Sequence, residues 1–246
     1  LSSCVSQTPS GTARYQVRKV CGDARHCYAQ IQAAVDAAEH GAGSDWIRID
    51  VGAGDYYEKV TIRRAKIHLR GSGLKRTRLY FDAVAEHSGR YHRAGWGTAG
   101  SATLTVDADL VTVEDITVEN TYDFLANDVL PANDPRKIAN SQAVAVLLDI
   151  HSDRVLMDRV ALMGYQDTLF ANGRRAYIRN GFISGNVDFI FGNGQLLIEE
   201  STVQSRRRAA SFKAGELESF VVAPSTQLSQ QIGIVVYRSR LTREDG

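Results

Sequence analysis

The sequence predicts an all-β fold, a right-handed parallel β-helix whose N-terminal end is covered by one short helix. Short segments of alternating apolar and polar residues recur along the chain in a nearly constant phase. Long amphipathic helical patterns do not recur, which argues against a sheet built from alternating strands and helices. At 246 residues the chain is long enough for one domain with a substantial hydrophobic core.

The composition is that of a globular protein. Hydrophobic residues make up 43% and charged residues 23%, which excludes wholesale disorder. The 29 Lys and Arg nearly balance the 28 Asp and Glu, so we expect no general attraction to nucleic acid or to an acidic membrane. No apolar run approaches the roughly 18 residues that span a bilayer, and no membrane span is expected.

The first residues are expected to form a tail, residues 1–11, ahead of a single domain over residues 12–246. The sequence LSSC at the start resembles the end of a bacterial lipoprotein signal, in which Cys4 would carry the lipid. A disordered tail is the alternative.

Two further cysteines, Cys21 and Cys27, are separated by five residues. A local disulfide in an oxidising compartment and two free thiols are both compatible with this spacing. A zinc site that includes His26 is less favoured because further ligands at the required spacing are missing.

The one convincing helix is predicted over residues 28–40, with Ile31 and Val35 among the apolar residues on one face. Gly41 follows where a left-handed cap would end the helix. The small apolar face suits a helix that covers the first coil of the solenoid and protects its open sheet edge. Short strands are predicted after it, at 46–51, 59–62, 66–71, 78–82 and 102–106.

An internal repeat supports the solenoid. Five segments share a pattern of one apolar residue, two polar residues and a second alternating stretch: 112–118, 156–162, 177–183, 197–203 and 236–242. Their equivalent apolar positions are Val113, Met157, Ile178, Ile198 and Val236. The separations of 44, 21, 20 and 38 residues equal two, one, one and two turns of a repeat near 20 residues. A β-sandwich would instead show turn signals every 8–12 residues without a fixed phase.

Most familiar catalytic motifs are missing. The chain has no Gly-x-Ser-x-Gly elbow, Walker loop, Rossmann glycine pattern or His-Glu-x-x-His motif, and its 6 histidines are scattered. Hydrolysis by a serine, a cysteine or a metal ion is therefore not favoured, and no metal or cofactor is expected.

A polar set stands out within apolar surroundings. Asp188 lies in the segment GNVDFIFGNG, where a buried carboxylate requires either a partner or a function. Gln142 lies 25 residues before Asp167, and Asp167 lies 21 residues before Asp188, so each interval is about one coil. These side chains and Gln166 should therefore form one patch. Two carboxylates about 4.8 Å apart cannot both ionise easily, so one pKa should rise and the other should fall. A polar ladder that only stabilises the solenoid is the alternative.

Three motifs resemble the signature segments of pectin methylesterases: QAVAV at 142–146, GYQDTLF at 164–170 and GNVDFIFGNG at 185–194. Upstream, the segments at 96–106 and 119–128 look like those of bacterial members, as does the later segment at 221–244. The resemblance covers nearly the whole chain after about residue 12. It implies a right-handed parallel β-helix, in agreement with the repeat.

The resemblance also implies residue roles. Asp188 would be the nucleophile that attacks the C6 carbonyl of a methylated galacturonate and forms an acyl-enzyme. Asp167 would protonate the departing methanol and then deprotonate the hydrolytic water. Gln166 and Gln142 would stabilise the oxyanion.

Three further residues match substrate-contacting positions of the family. Thr98 would contact the substrate, Phe191 would form a wall of the sugar groove, and Arg208 would bind a de-esterified galacturonate. For Arg208, a solvated basic run over residues 206–208 is the alternative.

The chain departs from the family pattern at several places. Asn186 stands where threonine is usual, and Glu216 and Phe220 stand where bacterial relatives have Asn and Tyr, so the sugar preference can differ. The family's later LGRPW segment, whose Arg orients the nucleophile and whose Trp stacks on a sugar, does not occur before Gly246. We expect further sequence to supply it, and expect residues 1–246 alone to be inactive or weakly active.

The function expected from the resemblance is release of methanol from methylated homogalacturonan (pectin) by a secreted monomer, extracellular, periplasmic or associated with the outer membrane. Two alternatives stay open. One is another β-helix enzyme on polysaccharides, a lyase with calcium or a glycosidase with two carboxylates. The other is a solenoid that binds polysaccharide without catalysis.

Overall fold

In a computed structural model, residues 13–22, 24–41, 45–91 and 97–245 are described. They form a right-handed parallel β-helix with three walls, and every strand pair in it is parallel. The expected tail and the candidate lipid site at Cys4 lie outside the described residues. Within the described part, no helix has the length and apolar character needed to cross a membrane.

The first and second walls belong to one continuous sheet, because two long strands, β9 and β11, pass from one wall to the other. The first wall contains β1 (Ala13–Val17), which also pairs with β2 (Cys27–Tyr28), then β3 (Ile47–Val51), β6 (Ile67–Arg70), the first half of β9 (Thr112–Asn120), the first half of β11 (Val155–Met163), β13 (Arg175–Arg179), β16 (Gln195–Glu199) and β19 (Ile234–Tyr237). The second wall contains β4 (Gly54–Tyr57), β7 (Thr77–Phe81), the second halves of β9 and β11, β14 (Phe182–Gly185), β17 (Thr202–Ser205) and β20 (Arg240–Arg243).

The third wall is a separate sheet of short strands. It contains β5 (Val60–Ile62), β8 (Leu104–Val106), β10 (Val146–Leu148), β12 (Leu169–Ala171), β15 (Ile190–Gly192) and β18 (Val222–Pro224). The short strands predicted from the sequence correspond to β3, β5, β6, β7 and β8, with boundaries that shift by one or two residues.

The inward phase of the repeat is confirmed, but the predicted number of turns is wrong at two steps. The 44 residues from Val113 to Met157 and the 38 residues from Ile198 to Val236 each form one coil, because each pair lies on directly neighbouring strands. The extra residues lie in the long connections between β9 and β10 and between β17 and β18. Met157 pairs with Val113 on one side and Ile178 on the other. Ile178 then pairs with Ile198, and Ile198 with Val236. These side chains point inward and stack as one apolar column, and the first four are fully buried. Burial of such stacked aliphatic side chains is the main force that holds the coils together.

The corner between the first and second walls is built from non-glycine residues in the left-handed region. In successive coils the residue at this corner has a φ between 47° and 54°: Asp115, Arg159, Asn180, Glu200 and Arg238. Such conformations are uncommon outside glycine. The regular stack of coils maintains them at the same place in five turns.

The N-terminal helix α1 (Ile31–His40) packs its buried Ile31, Ala34, Val35 and Ala38 against the core of the first coil, so the predicted covering helix is confirmed. It begins later than predicted because Tyr28 pairs as a strand in β2. The Glu58 carboxylate accepts from the backbone N–H groups of Ile31 and Gln32, each at 3.0 Å, and so caps its first turn. Gly41 does not form the expected left-handed cap, because its φ is −65°.

Near this helix, Cys21 and Cys27 are joined by a disulfide. Of the alternatives compatible with their spacing, the structure therefore contains the local bridge.

Candidate active site

The connections from the second wall to the third wall carry nearly all of the candidate site residues. Three short helices lie in two of them: a 3₁₀ helix (Ala85–Arg90) and α2 (Gly97–Gly100) between β7 and β8, and α3 (Phe124–Asp128) between β9 and β10. These connections supply Thr98, Gln142, Gln166 with Asp167, Asp188 and Arg208, while Phe191 lies within β15. Parallel stacking brings residues far apart in sequence to one edge of the solenoid.

Asp167 and Asp188 occupy equivalent positions on neighbouring coils. Each lies two residues before a strand of the third wall, and Leu169 pairs with Ile190 in the same register. The backbone N–H of Asp167 donates to the carbonyl of Val187 at 3.0 Å. Both aspartates are in the left-handed region, with φ of 65° and 48°. Aspartate tolerates this conformation better than most residues, and non-glycine residues held there are often functional.

The two carboxylates differ in exposure. Asp167 is 7% exposed, whereas Asp188 is half-buried. Burial, reinforced by the neighbouring charge of Asp188, raises the pKa of Asp167 to about 7. Among the described residues no cationic side chain forms an ion pair with either carboxylate. A buried carboxyl whose pKa is raised by a second carboxyl is what the sequence predicts for the acid of such a pair.

The two glutamine amides lie beside this pair. The Ser141 hydroxyl donates to Oε1 of Gln166 at 2.8 Å, which leaves Nε2 of Gln166 as a donor. The Gln166 carbonyl accepts from the N–H of Ala143 at 3.2 Å, so the segment that contains Gln142 lies directly against Gln166. Oε1 of Gln142 is buried without a hydrogen-bond partner within the described part of the chain. Unsatisfied buried polar atoms are rare and often functional.

Phe191 and Thr98 lie around an outer apolar cluster on the third wall. Phe191 stacks on Phe170, one coil below, with ring centroids 4.3 Å apart. Each of these rings follows its aspartate by three residues. Ala99 of helix α2 packs against the same cluster and so holds the adjacent Thr98 near this surface.

Arg208 is engaged within the protein. Its guanidinium binds the carboxylate of Asp128 through Nε at 2.9 Å and Nη2 at 2.6 Å, and Nη1 donates to the carbonyl of Glu218 at 3.4 Å. The side chains of Arg208 and Asp128 are only 18% and 4% exposed. The solvated basic run is therefore not what the structure contains at this residue.

Two cavities adjoin these groups. One of about 510 Å³ is lined by Thr98 and Gln142 together with Ser88. The other, of about 380 Å³, is lined by Gln166 and Arg208 among others. Residues 140–142 form a wall shared by both, since Asn140 and Gln142 line the first and Ser141 lines the second. The two cavities lie next to each other at the edge between the second and third walls, and we refer to them together as the groove.

Sequence reasoning missed several residues that shape this site. Asn186, which replaces a threonine, is fully buried: its Oδ1 accepts from the N–H of Val187 at 2.8 Å and its N–H donates to the Tyr165 carbonyl at 2.9 Å. Gly185 leaves no room for a side chain, because a Cβ there would lie 2.6 Å from the Tyr165 carbonyl oxygen. The departure at Asn186 was the one sequence signal available; Ser141 and Asp128 carried none.

Within the described part of the chain, no group of three or more His, Cys, Asp or Glu side chains is placed to hold a metal ion. Like the two aspartates, the Glu86 carboxylate, which lines the larger cavity, has no cationic partner among the described residues, and it accepts from the Asn140 side chain at 2.6 Å.

Comparison with known proteins gives a consistent result. A sequence model of the family described as Pectinesterase matches residues 18–246. Pectinesterase A from Dickeya dadantii is 37% identical over 205 residues, which is 82% of this chain and 55% of that protein. The chain thus spans about half the length of the curated relatives it matches.

Solved structures show the same fold. A pectin methylesterase from Erwinia chrysanthemi has a TM-score of 0.83 at 36% identity, over 95% of this chain and 66% of that chain. A pectin methylesterase in complex with hexasaccharide VII has a TM-score of 0.86 at 36% identity, over 95% of this chain and 67% of that chain. Because the family model matches nearly the whole sequence, the chain belongs to the pectinesterase family.

Proposed function

We propose that this chain carries the catalytic site of a carboxylic-ester hydrolase that removes methyl esters from polygalacturonate and releases methanol. The observation that carries the proposal is the stacked pair of Asp167 and Asp188, one buried with a pKa of about 7 and the other half-exposed. The membership in the pectinesterase family and the likeness to a pectin methylesterase solved with a hexasaccharide support the reaction and the substrate class.

In the first step, an ionised oxygen of Asp188 forms a bond to the C6 carbonyl carbon, and the carbonyl π electrons move to its oxygen. Nε2 of Gln166, directed by the Ser141 hydroxyl, and the amide of Gln142 stabilise this oxyanion. When the carbonyl re-forms, the bond to the methoxy oxygen breaks and Asp167 supplies the proton that makes methanol.

In the second step, water replaces methanol. Asp167, now ionised, accepts a proton from the water as its oxygen attacks the acyl carbon. The bond to Asp188 breaks and Asp188 is again ionised, while the galacturonic acid product keeps the second proton of the water and loses it to solvent. The raised pKa of Asp167 suits both directions of this transfer near neutral pH.

Substrate contacts are assigned to the groove. Thr98 and Phe191 are proposed to contact the sugar chain on the third-wall side. Arg208 is proposed to act from the smaller cavity, where its pairing with Asp128 fixes the guanidinium in place. Phe220 pairs through its backbone with Asn186 and Phe189, so it lies on the next coil directly beside the nucleophile and can influence sugar preference.

The compartment follows from the disulfide and the substrate class. A Cys21–Cys27 bridge persists in oxidising surroundings, so we propose secretion to an extracellular, periplasmic or outer-membrane-associated location. A monomeric state is proposed as well.

Methanol release from highly methylated pectin tests the function, on the longest polypeptide that contains this chain. Asp188→Asn keeps a residue that tolerates the left-handed conformation and removes the nucleophile, so methanol release should fall to background. Glu200→Gln is a matched control, because Glu200 is also a left-handed carboxylate but lies at the opposite corner. It should leave the rate unchanged.

Product analysis separates the alternatives. New reducing ends without methanol would indicate a glycosidase, unsaturated products a lyase, and binding without any product a non-catalytic solenoid. Each of these three outcomes would contradict the proposal.

A further inference from the structure

Four aromatic side chains gather where the second wall meets the connection that follows β7. Tyr57 stacks on Phe81 with ring centroids 4.6 Å apart, and Tyr80 lies 5.4 Å from Tyr57. Tyr91 meets Phe81 edge-on at 5.1 Å. Tyr57 is 52% exposed and Tyr91 is 43% exposed. Contiguous exposed aromatic surface of this kind marks a binding surface more often than a solvent-facing wall. We call these four residues the aromatic platform.

The rings of the platform are held in place from behind and from the side. The Lys59 ammonium lies 5.6 Å from the Phe81 centroid and 5.8 Å from the Tyr91 centroid. The Tyr57 hydroxyl donates to Oδ1 of Asp82 at 2.6 Å. Rings fixed in this way lose little conformational freedom when a ligand binds, so the platform is preorganised.

The platform is continuous with the groove. Tyr91 directly follows the 3₁₀ helix whose Ser88 lines the cavity of about 510 Å³, and its N–H donates to the Ser88 carbonyl at 3.0 Å. Lys59 donates to the carbonyl of Gly100 at 3.1 Å, the last residue of the helix that carries Thr98. A polymer that fills the Thr98 end of the cavity would therefore meet the platform next.

We propose that the aromatic platform binds an outlying sugar ring of the polysaccharide whose ester lies at Asp188, and that it prefers a methyl-esterified galacturonate. This inference rests on the proposed function. The C–H face of a pyranose ring is apolar and stacks on an aromatic face, and the ester methyl adds apolar surface. Asp82, hydrogen-bonded to Tyr57, repels a free carboxylate at the same place. The two neighbouring cations are engaged elsewhere. Lys59 donates to the carbonyls of Gly100 and Ala102. Arg78, which lies over the Tyr80 ring, pairs with Glu119.

Titration calorimetry with two methyl-esterified oligogalacturonides tests the platform, one long enough to reach it from the catalytic groove and one too short. Tyr57→Ala should weaken binding of the long oligomer by about tenfold and leave the short one unchanged, since loss of a ring contact is worth about one factor of ten. Tyr57→Leu keeps an apolar side chain without a π face and should show the same pattern, so a folding defect in one variant does not decide the result. The de-esterified long oligomer should be insensitive to both variants.

Tyr237→Ala is the matched control, because Tyr237 is 49% exposed but lies in the first wall at the other end of the solenoid. It should bind both oligomers as the wild type does. If both Tyr57 variants bind the long oligomer as tightly as the wild type does, the platform does not bind a sugar ring. The proposed function would be unaffected by that result. Failure of the wild type to bind either oligomer would overturn the proposed substrate, and the platform with it.

Discussion

Asp128 and Arg208 form a two-point ion pair that ties helix α3 to the connection between β17 and β18. One carboxylate oxygen also accepts from the backbone N–H groups of Ala209 and Ala210, at 2.9 and 3.0 Å. The Asp128 carboxylate is thus hydrogen-bonded to groups that lie 80–82 residues away in sequence. Because both side chains line the smaller cavity, this pair fixes one side of the groove beside Gln166.

The first prediction concerns the stability supplied by this pair. Asp128→Ala leaves the mostly buried guanidinium of Arg208 without its counter-charge, and should lower the free energy of unfolding by about 3–5 kcal/mol. Urea denaturation of both proteins measures the difference. Asp134→Ala is the matched control, because Asp134 pairs with Arg136, whose side chain is 75% exposed. Asp134→Ala should change the free energy of unfolding only slightly. An equally small change in Asp128→Ala would show that the pair of Asp128 and Arg208 does not stabilise the fold.

The pH dependence of the same pair has a definite sign. Burial alone would raise the pKa of Asp128, but hydrogen bonds from Arg208 and from the backbone outweigh it and hold the pKa below its ordinary value. The stabilisation is therefore complete above the unfolded pKa of about 4 and is lost as the pH falls through the folded pKa. The difference in free energy of unfolding between the wild type and Asp128→Asn should become smaller in acid. A difference that stays constant with pH would contradict this linkage.

The second prediction concerns the Cys21–Cys27 bridge. It closes a loop with a sequence separation of 6, so restriction of the unfolded chain by this small loop is worth about 2 kcal/mol. Replacing both cysteines with serine should reduce stability by that amount in denaturant titrations under oxidising conditions. Under strong reductant the wild type and the variant should coincide. Free thiols detected in the native oxidised protein at these positions would contradict the bridge.

The third prediction separates catalysis from stability at the amides. Gln142→Ala removes a buried amide whose Oε1 has no partner among the described residues, so it should not lower the free energy of unfolding. As an oxyanion donor its loss should reduce methanol release by about 10²- to 10³-fold. Ser141→Ala releases the Gln166 amide from its fixed orientation and should give a smaller loss in rate. A stability loss that accounts for the lower rate of Gln142→Ala would favour the polar ladder instead.

Much of the fold could be predicted because the solenoid repeats a local rule. Met157, Ile178 and Ile198 are apolar at intervals of 21 and 20 residues, and parallel stacking needs only this phase to set their register. The 44-residue interval from Val113 to Met157 is also a single coil, because it contains a long connection, and the repeat alone does not predict this. The approach of Asp167 to Asp188 follows from the same register. One coil of separation in sequence is one strand spacing in space.

Other features depend on contacts that no repeat encodes. Arg208 lies in a basic run, and only the fold shows that Asp128 comes from a helix three coils earlier to bind it. The left-handed φ of Asp188 is maintained by the buried Asn186 and by the close packing at Gly185, which local sequence preferences do not report. Gly41 is the reverse case: the residue type suggested a left-handed cap, but the chain leaves the helix in an extended conformation.

The fourth prediction follows from the raised pKa of Asp167. Its folded pKa of about 7 exceeds the unfolded value of about 4, so the wild type loses stability as the pH rises from about 4 through 7, where the buried carboxylate must ionise. Asp167→Asn removes this cost and should be more stable than the wild type above pH 7, by a few kcal/mol in order of magnitude. Below about pH 4 the two should be equal. Equal stability across the whole range in denaturant titrations would show that the pKa is not raised.

The last prediction is the rate that accompanies this gain in stability. Asparagine keeps the shape of Asp167 and tolerates its φ of 65°, but it can neither give a proton to methanol nor take one from water. Asp167→Asn should therefore lower methanol release by about 10²- to 10⁴-fold while binding of esterified oligogalacturonides is kept. In the wild type, departure of methanol requires protonated Asp167 and ionised Asp188, so its rate should fall as the pH rises above about 7, with two apparent pKa values that belong to the pair. The residual rate of Asp167→Asn should not show the fall near pH 7. If Asp167→Asn instead abolished binding and kept the turnover of bound substrate, Asp167 would hold the groove together rather than transfer the proton.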